Sequence, residues 1–210
     1  VIVQDDLFDA TASVTVCAMT TDPTDAPLFR IPVDADGTTG IRQPSRLMVD
    51  KITTVQRSKL GERIGRLSDE DLTTAYAFPP SGTWVRANFV TTLDGAIRGG
   101  DGVSGSISND ADQRVFRIAR RTADVVLVGA GTVRTEDYRP SKRPLAIVTA
   151  TLDLPSTLRL FAEATEEHVT PIALTTQEAA ATADESLRAR VEVVPCGSGH
   201  VDLSRVVAVS

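Results

Sequence analysis

The sequence predicts a chain of two parts with different fold classes: a β-rich unit over residues 1–72 and an α/β unit over residues 73–210. Three observations lead there. Short β-branched and alternating runs with little helical pattern fill the first 70 residues. A helix-start signal and a Pro-Pro-Ser-Gly stretch follow at Ser68–Gly82. Beyond it, apolar runs of four or five residues alternate with helical segments, the signature of a mainly parallel sheet.

In chain order, Ile2–Gln4 and Ser13–Met19 read as strands joined by the Asp/Ala/Thr-rich Asp5–Ala12. Pro23–Pro27 is a turn, and Leu28–Val33 alternates as a half-buried strand does. Asp34–Gly40 is a loop. Arg46–Val55 alternates again, with Leu47, Val49, Ile52 and Val55 as expected inward positions. Short strands of this kind suggest a small barrel. Ser68 followed by Asp71 predicts a capped helix that ends before Pro79. In the second part, Val85–Thr92 is expected as a strand, Gly95–Gly105 as a glycine-rich loop, and Asn109–Arg121 as a helix with Val115, Ile118 and Ala119 on one face. Asp124–Val128 is expected as a strand covered on both faces. Leu145–Val148, Ile172–Leu174 and Val191–Val194 are further strands, with one helix over Glu178–Ala189. Limited proteolysis is expected to cut first near Phe78–Gly82, where Pro and Gly favour an exposed linker.

Composition narrows the function classes. The 210 residues carry 41% hydrophobic and 24% charged residues, enough for a packed core, and a net charge of -6, so no overall basic field points to nucleic acid. No apolar run reaches the roughly 18–20 residues of a membrane span. Cys17 and Cys196 fall in different parts, which argues against a disulfide framework or a metal site and fits a reducing cytoplasm. The start at Val1-Ile-Val does not read as a signal peptide.

The clearest chemical signal is Val125-Val-Leu-Val-Gly-Ala-Gly-Thr132, a buried-strand pattern running into a glycine-rich turn and a helix. A turn without side chains lets a ligand approach the backbone, and a helix start presents free N–H groups to phosphate. Gly-Ala-Gly is not the full dinucleotide fingerprint, and a tight strand–helix turn without a ligand is the alternative.

Three segments together, Asn88-Phe-Val-Thr-Thr-Leu-Asp-Gly-Ala-Ile97, Ser104-Gly-Ser-Ile-Ser108 and Arg120–Thr132, resemble the reductase domain of riboflavin-biosynthesis (RibD) proteins. The resemblance extends over about Asp69–Ser210. It implies a dihydrofolate-reductase-like α/β fold and NADPH-dependent reduction of an aminouracil ribosyl phosphate. It also implies that Thr91, Gly129, Gly131, Thr132 and Glu136 contact the cofactor, and that Ser104, Arg120 and, more weakly, Arg143 contact the substrate. The family more often has Asp at 136 and Trp at 106. Read alone, Asp94-Gly95 is also turn chemistry, Arg120 also complements a helix C-terminus, and Ser104 is also an ordinary loop residue. His168 and His200 have no motif around them, which suits hydride transfer, where the cofactor carries the chemistry.

The first part resembles another family. Val1–Phe8, Val14–Thr20, Pro27–Pro32 and above all Ser45–Ser68 are similar to MazF/PemK toxins, SH3-like barrels that cleave single-stranded RNA without metal as dimers. The resemblance covers about Val1–Leu72 and places Thr20 at a cleavage position. The family's catalytic Arg belongs before Val1, so weak cleavage is expected. Arg57, Lys59, Arg63 and Arg66 form a basic cluster, offset by Glu62 and Asp69–Asp71. The expectation is therefore a truncated reductase-like domain behind a barrel fragment. Its expected partners are a small-molecule substrate, single-stranded RNA or an antitoxin, and a second copy in a homodimer. The alternatives are a toxin fragment or an inactive chimera.

Overall fold

In the computed structural model of the chain, residues 1–2, 10–24, 26, 29–79, 81–92 and 94–209 are described. Their contacts divide into two compact units, Val1–Phe78 with Asn109–Thr122, and Pro79–Ser108 with Ala123–Ser210.

The first unit holds strands β1 (Ser13–Thr20), β2 (Arg30–Val33) and β3 (Ser45–Gln56) in an antiparallel sheet of order β1-β3-β2. The long β3 serves both neighbours: it pairs with β1 from Ser13↔Gln56 to Thr20↔Arg46, and with β2 from Arg30↔Met48 to Val33↔Ser45. An irregularity between Cys17 and Met19 interrupts the first ladder. Cys17, Val33 and Leu47 are buried together, with Met19, Ile31, Ile41, Val49 and Leu67 packed against them. Ile52, expected to point inward, is 54% exposed. The register shift in the β1–β3 ladder falls between Leu47 and Ile52, so the alternation set by Leu47 and Val49 does not carry through to Ile52. Of the expected first strand, Ile2 forms a single bridge to Val16, and the rest lies outside the described residues, as does Leu28. The described part of the expected barrel is thus this three-stranded sheet.

A close approach closes the unit's loop. Gly40 is left-handed (φ +65°), and a Cβ there would stand 2.0 Å from the Ile64 carbonyl oxygen. Only glycine tolerates both conditions.

Helix α1 (Asp69–Ala75) starts as expected. The Ser68 hydroxyl accepts the Asp71 amide at 3.0 Å, and the Asp71 carboxylate accepts the Ser68 amide at 2.7 Å. Ser68→Ala removes half of this reciprocal cap and is expected to destabilise the first unit by about 1 kcal/mol, read from a denaturant midpoint shift at unchanged m-value. Helix α2 (Asp110–Thr122) buries Ile118 and half-buries Val115 and Ala119, the expected face. It is tied to α1: Arg114 donates to Asp69 at 2.5 Å and to the Leu67 carbonyl at 3.1 Å, and Arg121 donates to the Thr73 hydroxyl at 2.9 Å.

The second unit is α/β. Strands β4 (Val126–Gly129), β5 (Leu145–Val148), β6 (Ile172–Thr175) and β7 (Glu192–Pro195) form a parallel sheet in sequence order. Alternation along β5 explains its two-sided burial. Leu145 and Ile147 join one cluster with Val133, Leu160, Leu187 and Val191. Ala146 joins the other with Leu174, Cys196 and Val206. The helices that supply those residues are α3 (Ala130–Thr135), α4 (Arg159–Ala162), α6 (Glu185–Arg188) and α7 (Leu203–Val209), and α5 is Gln177–Thr182.

Four expectations are corrected here. Val85–Thr92 is not a strand: the segment has no strand pairing among the described residues, and Val85 and Phe89 are 67% and 74% exposed. β4 is not covered on both faces. Val126 and Val128 pack on the core, whereas Leu127, on the other face, is 41% exposed. The single helix over 178–189 is two, because Asp184 caps a new helix by accepting the Leu187 amide at 2.7 Å. Gly129-Ala-Gly-Thr132 is not a separate turn. Gly129 ends β4 and caps α3 directly, so Gly131 and Thr132 lie in the first helical turn.

Candidate functional site

Ligands of open α/β sheets bind beyond the carboxyl ends of parallel strands. In the second unit that edge is polar and built from residues of every strand. Gly129 ends β4. Thr149, buried just after β5, accepts the Leu152 amide at 3.0 Å through its hydroxyl. Thr175 ends β6 fully buried, and its hydroxyl oxygen has no hydrogen-bond partner among the described residues. Thr176 caps α5 by accepting the Ala179 amide at 3.1 Å. After β7, the 197–200 turn is held to α5 by Glu178, which accepts the Gly199 amide at 3.0 Å and the Ser198 hydroxyl at 2.7 Å. Those two donors, the amide first, pull the Glu178 carboxyl down to about 2. A lowered value means that the tie is complete above the ordinary carboxyl range and is lost as pH falls through about 2.

The glycines at the β4–α3 junction face open space. An added Cβ at Gly129 or at Gly131 meets no protein atom within 4 Å. Thr132 is exposed beside them, while Ala130 and Val133 anchor the helix in the core. The exposed Gly129–Gly131 backbone and the adjacent Thr132 hydroxyl leave this end of β4 open to a ligand.

The structure brings two of the sequence-derived residues together. The Ser104 backbone amide donates to Glu136 Oε1 at 2.7 Å, across 32 residues of chain. Glu136 itself closes α3, its amide donating to the Thr132 carbonyl at 2.9 Å. Thr91 is exposed and precedes a turn in which the Thr92 amide donates to the Ala96 carbonyl and Gly95 is left-handed. The Asp94 carboxylate accepts the Thr92 hydroxyl, which holds its carboxyl below the ordinary range. Leu93, between them, lies outside the described residues. Arg120 is half-buried on α2, within the first unit, its guanidinium 5.3 Å above the Phe116 ring. Arg143 precedes β5, at the amino end of the sheet, whereas Gly129 pairs with Val148 at the carboxyl end. Thr149 and Thr175 were missed in the sequence. The signal available was a Thr closing or following each apolar run, which alone is also ordinary strand composition.

In the first unit, Thr20 is half-buried at the end of β1, directly across from Arg46 of β3. Its hydroxyl accepts the Asp22 amide at 3.1 Å, and Arg46 donates to the Asp22 carbonyl at 3.2 Å. Asp22 also accepts the Thr24 hydroxyl and amide, which lower its carboxyl. Arg30 is paired with Asp50. Sequence spacing gave no sign of a cation beside Thr20. The strand pairing supplies one across 26 residues of chain, because Arg46 is its cross-strand neighbour. In the basic cluster, Arg57 donates to the Thr11 carbonyl and Arg63 to the Gly65 carbonyl, while Lys59 and Arg66 are exposed. Among the described residues, no group of three or more His, Cys, Asp or Glu could hold a metal ion, and no helix is long and apolar enough to cross a membrane.

Comparison with known proteins finds two families in turn along the chain. Residues 83–209 match the family model of the RibD C-terminal domain. Residues 1–77 match that of the PemK-like, MazF-like toxin of type II toxin–antitoxin systems. A probable endoribonuclease MazF of Mycolicibacterium smegmatis is 56% identical over 71 residues, which cover 34% of this chain and 65% of that protein. A pyrimidine reductase-like protein of Corynebacterium diphtheriae of known structure is 23% identical, covering 58% of each chain with a TM-score of 0.47. A Mycobacterium tuberculosis MazF toxin structure is 27% identical, covering 35% of this chain and 73% of that one with a TM-score of 0.31. The chain thus spans less than two thirds of the curated MazF and of the reductase-like structure. With more than half of its length matched by that family model, the chain belongs to the RibD C-terminal domain family, and it carries a PemK-like, MazF-like segment in front.

Proposed function

We propose that the second part of the chain, from about residue 73, is an NADPH-dependent reductase of an aminouracil ribosyl phosphate of the riboflavin pathway, or of a related pyrimidine or pterin. The observation that carries this reading is the junction at the carboxyl edge of the sheet. There the Gly129–Thr132 backbone faces open space, and the Ser104 amide meets the Glu136 carboxylate, one expected substrate residue beside one expected cofactor residue. NADPH, when bound, supplies the hydride. Thr91, Gly129, Gly131, Thr132 and Glu136 hold the cofactor, and Ser104, Arg120 and Arg143 hold the substrate. Charge-assisted contacts from Arg to phosphate give the substrate its orientation. In this reading the protein works in the cytoplasm as a homodimer with a dihydrofolate-reductase-like domain. The test is an NADPH titration followed through Trp84, the one tryptophan of the chain. Saturable quenching supports the reading, and a flat response rejects it.

A second reading is favoured by the 56% identity to MazF and by the Thr20–Arg46 pairing. In it, residues 1–72, as part of an SH3-like barrel, bind or cleave single-stranded RNA or meet an antitoxin. RNA cleavage assayed beside the NADPH titration separates the two. Silence in both assays identifies a chimera without activity of its own.

A further inference from the structure

Glu136 already has a partner within the protein. Its Oε1 already accepts the Ser104 amide at 2.7 Å, and both residues are half-buried. The carboxylate stands on a fixed support. The Glu136 amide closes α3 on Thr132, Asp137 turns the chain in a left-handed conformation (φ 46°), and the Tyr138 amide donates to the Val133 carbonyl at 3.2 Å. Tyr138 then packs against the core.

What the carboxylate holds is itself a braced body. The Gly99 amide donates to the Val103 carbonyl at 2.9 Å and the Gly102 amide to the Gly99 carbonyl at 3.0 Å. Asp101 accepts the Val103 amide at 3.2 Å and the Ser106 hydroxyl at 2.8 Å. The Ile107 amide returns to the Ser104 carbonyl at 3.1 Å. A loop stiffened from within moves as a unit, so one charged anchor at Ser104 sets the position of all of it. We propose that Glu136 is a positioning residue whose carboxylate latches the 99–107 loop to the end of α3 and so holds Ser104 at the junction where substrate binds. The substrate role rests on the reductase reading; the latch itself does not.

The reach of the side chain makes this testable. A latch needs the length of Glu and an acceptor oxygen, but not a charge. A direct cofactor contact, by contrast, does not depend on reaching Ser104. Glu136→Asp withdraws the acceptor by one carbon–carbon bond, about 1.5 Å, whereas Glu136→Gln keeps length and acceptor. Hydrogen exchange of the full chain, without ligand, reads the latch at the 99–107 amides. Glu136→Asp and Glu136→Ala are expected to speed exchange there about tenfold, and Glu136→Gln to stay close to wild type. With an aminouracil ribosyl phosphate, Glu136→Asp is expected to raise KM about tenfold, several times more than it changes the NADPH Kd. Equal loop exchange in wild type and Glu136→Ala overturns the latch. So does a Glu136→Asp chain with wild-type exchange, since length would then not matter. Loss of NADPH binding with unchanged loop exchange assigns Glu136 to the cofactor instead. A wild-type chain that binds no NADPH overturns the reductase reading and the substrate role with it, while the exchange comparison still decides the latch.

Discussion

Gly131→Val is expected to weaken NADPH binding about tenfold to a hundredfold while leaving the second unit folded. An added Cβ at this position meets no protein atom within 4 Å. The helix is anchored by Ala130 and Val133, which lie on other sides of its first turn and are 6% and 0% exposed. Replacing a helical glycine does not by itself weaken the helix. The new methyl groups stand where a ligand would come up to the backbone from outside. Crowding of this kind costs on the order of 1–3 kcal/mol, which is a loss of about tenfold to a hundredfold in affinity. The Trp84 titration should move to correspondingly higher NADPH while circular dichroism and the melting temperature stay as in wild type. Equal NADPH affinity in the two chains would place the cofactor elsewhere. Arg120→Ala is the companion measurement: it should spare NADPH and weaken the substrate.

The second large effect concerns RNA. Cleavage of single-stranded RNA is expected to fall at least about a hundredfold below that of a whole MazF toxin, the scale of losing one transition-state donor. The physical ground is the surroundings of Thr20. Its neighbouring cation, Arg46, is engaged with the Asp22 carbonyl, and the Asp22 carboxylate in the same turn is held ionised by Thr24. A carboxylate there opposes the charge that builds on phosphate during cleavage. Thr20→Ala should abolish whatever cleavage remains. Strong cleavage by the wild-type chain that Thr20→Ala abolishes would show that Arg46 suffices as the cation.

Much of this protein was legible locally. The strands β5, β6 and β7, the Ser68–Asp71 cap and the buried face of α2 all come from neighbours in sequence. Period-2 and period-3.6 patterns and caps are short-range effects, so one sequence is enough to read them. The two family resemblances rest on ordered motifs and needed no geometry either.

The tertiary structure decided what depends on distant partners. An apolar run such as Val85–Thr92 has strand character but becomes a strand only if another strand pairs with it, and among the described residues none does. The same run of Val and Leu in β4 lies at an edge rather than in the middle, which its composition does not reveal. The face of α2 announces that something covers it, yet only the Arg114–Asp69 and Arg121–Thr73 bonds, 45 and 48 residues apart, show that α1 is involved. At the candidate sites the distances are similar. Ser104 meets Glu136 across 32 residues, and Thr20 meets Arg46 across 26. The sequence by itself determined the types of the elements and the families they belong to, because those are written in adjacent side chains. Edge, pairing and the joining of site residues were decided by the folded chain, because they are contacts between segments that only folding brings within hydrogen-bond range.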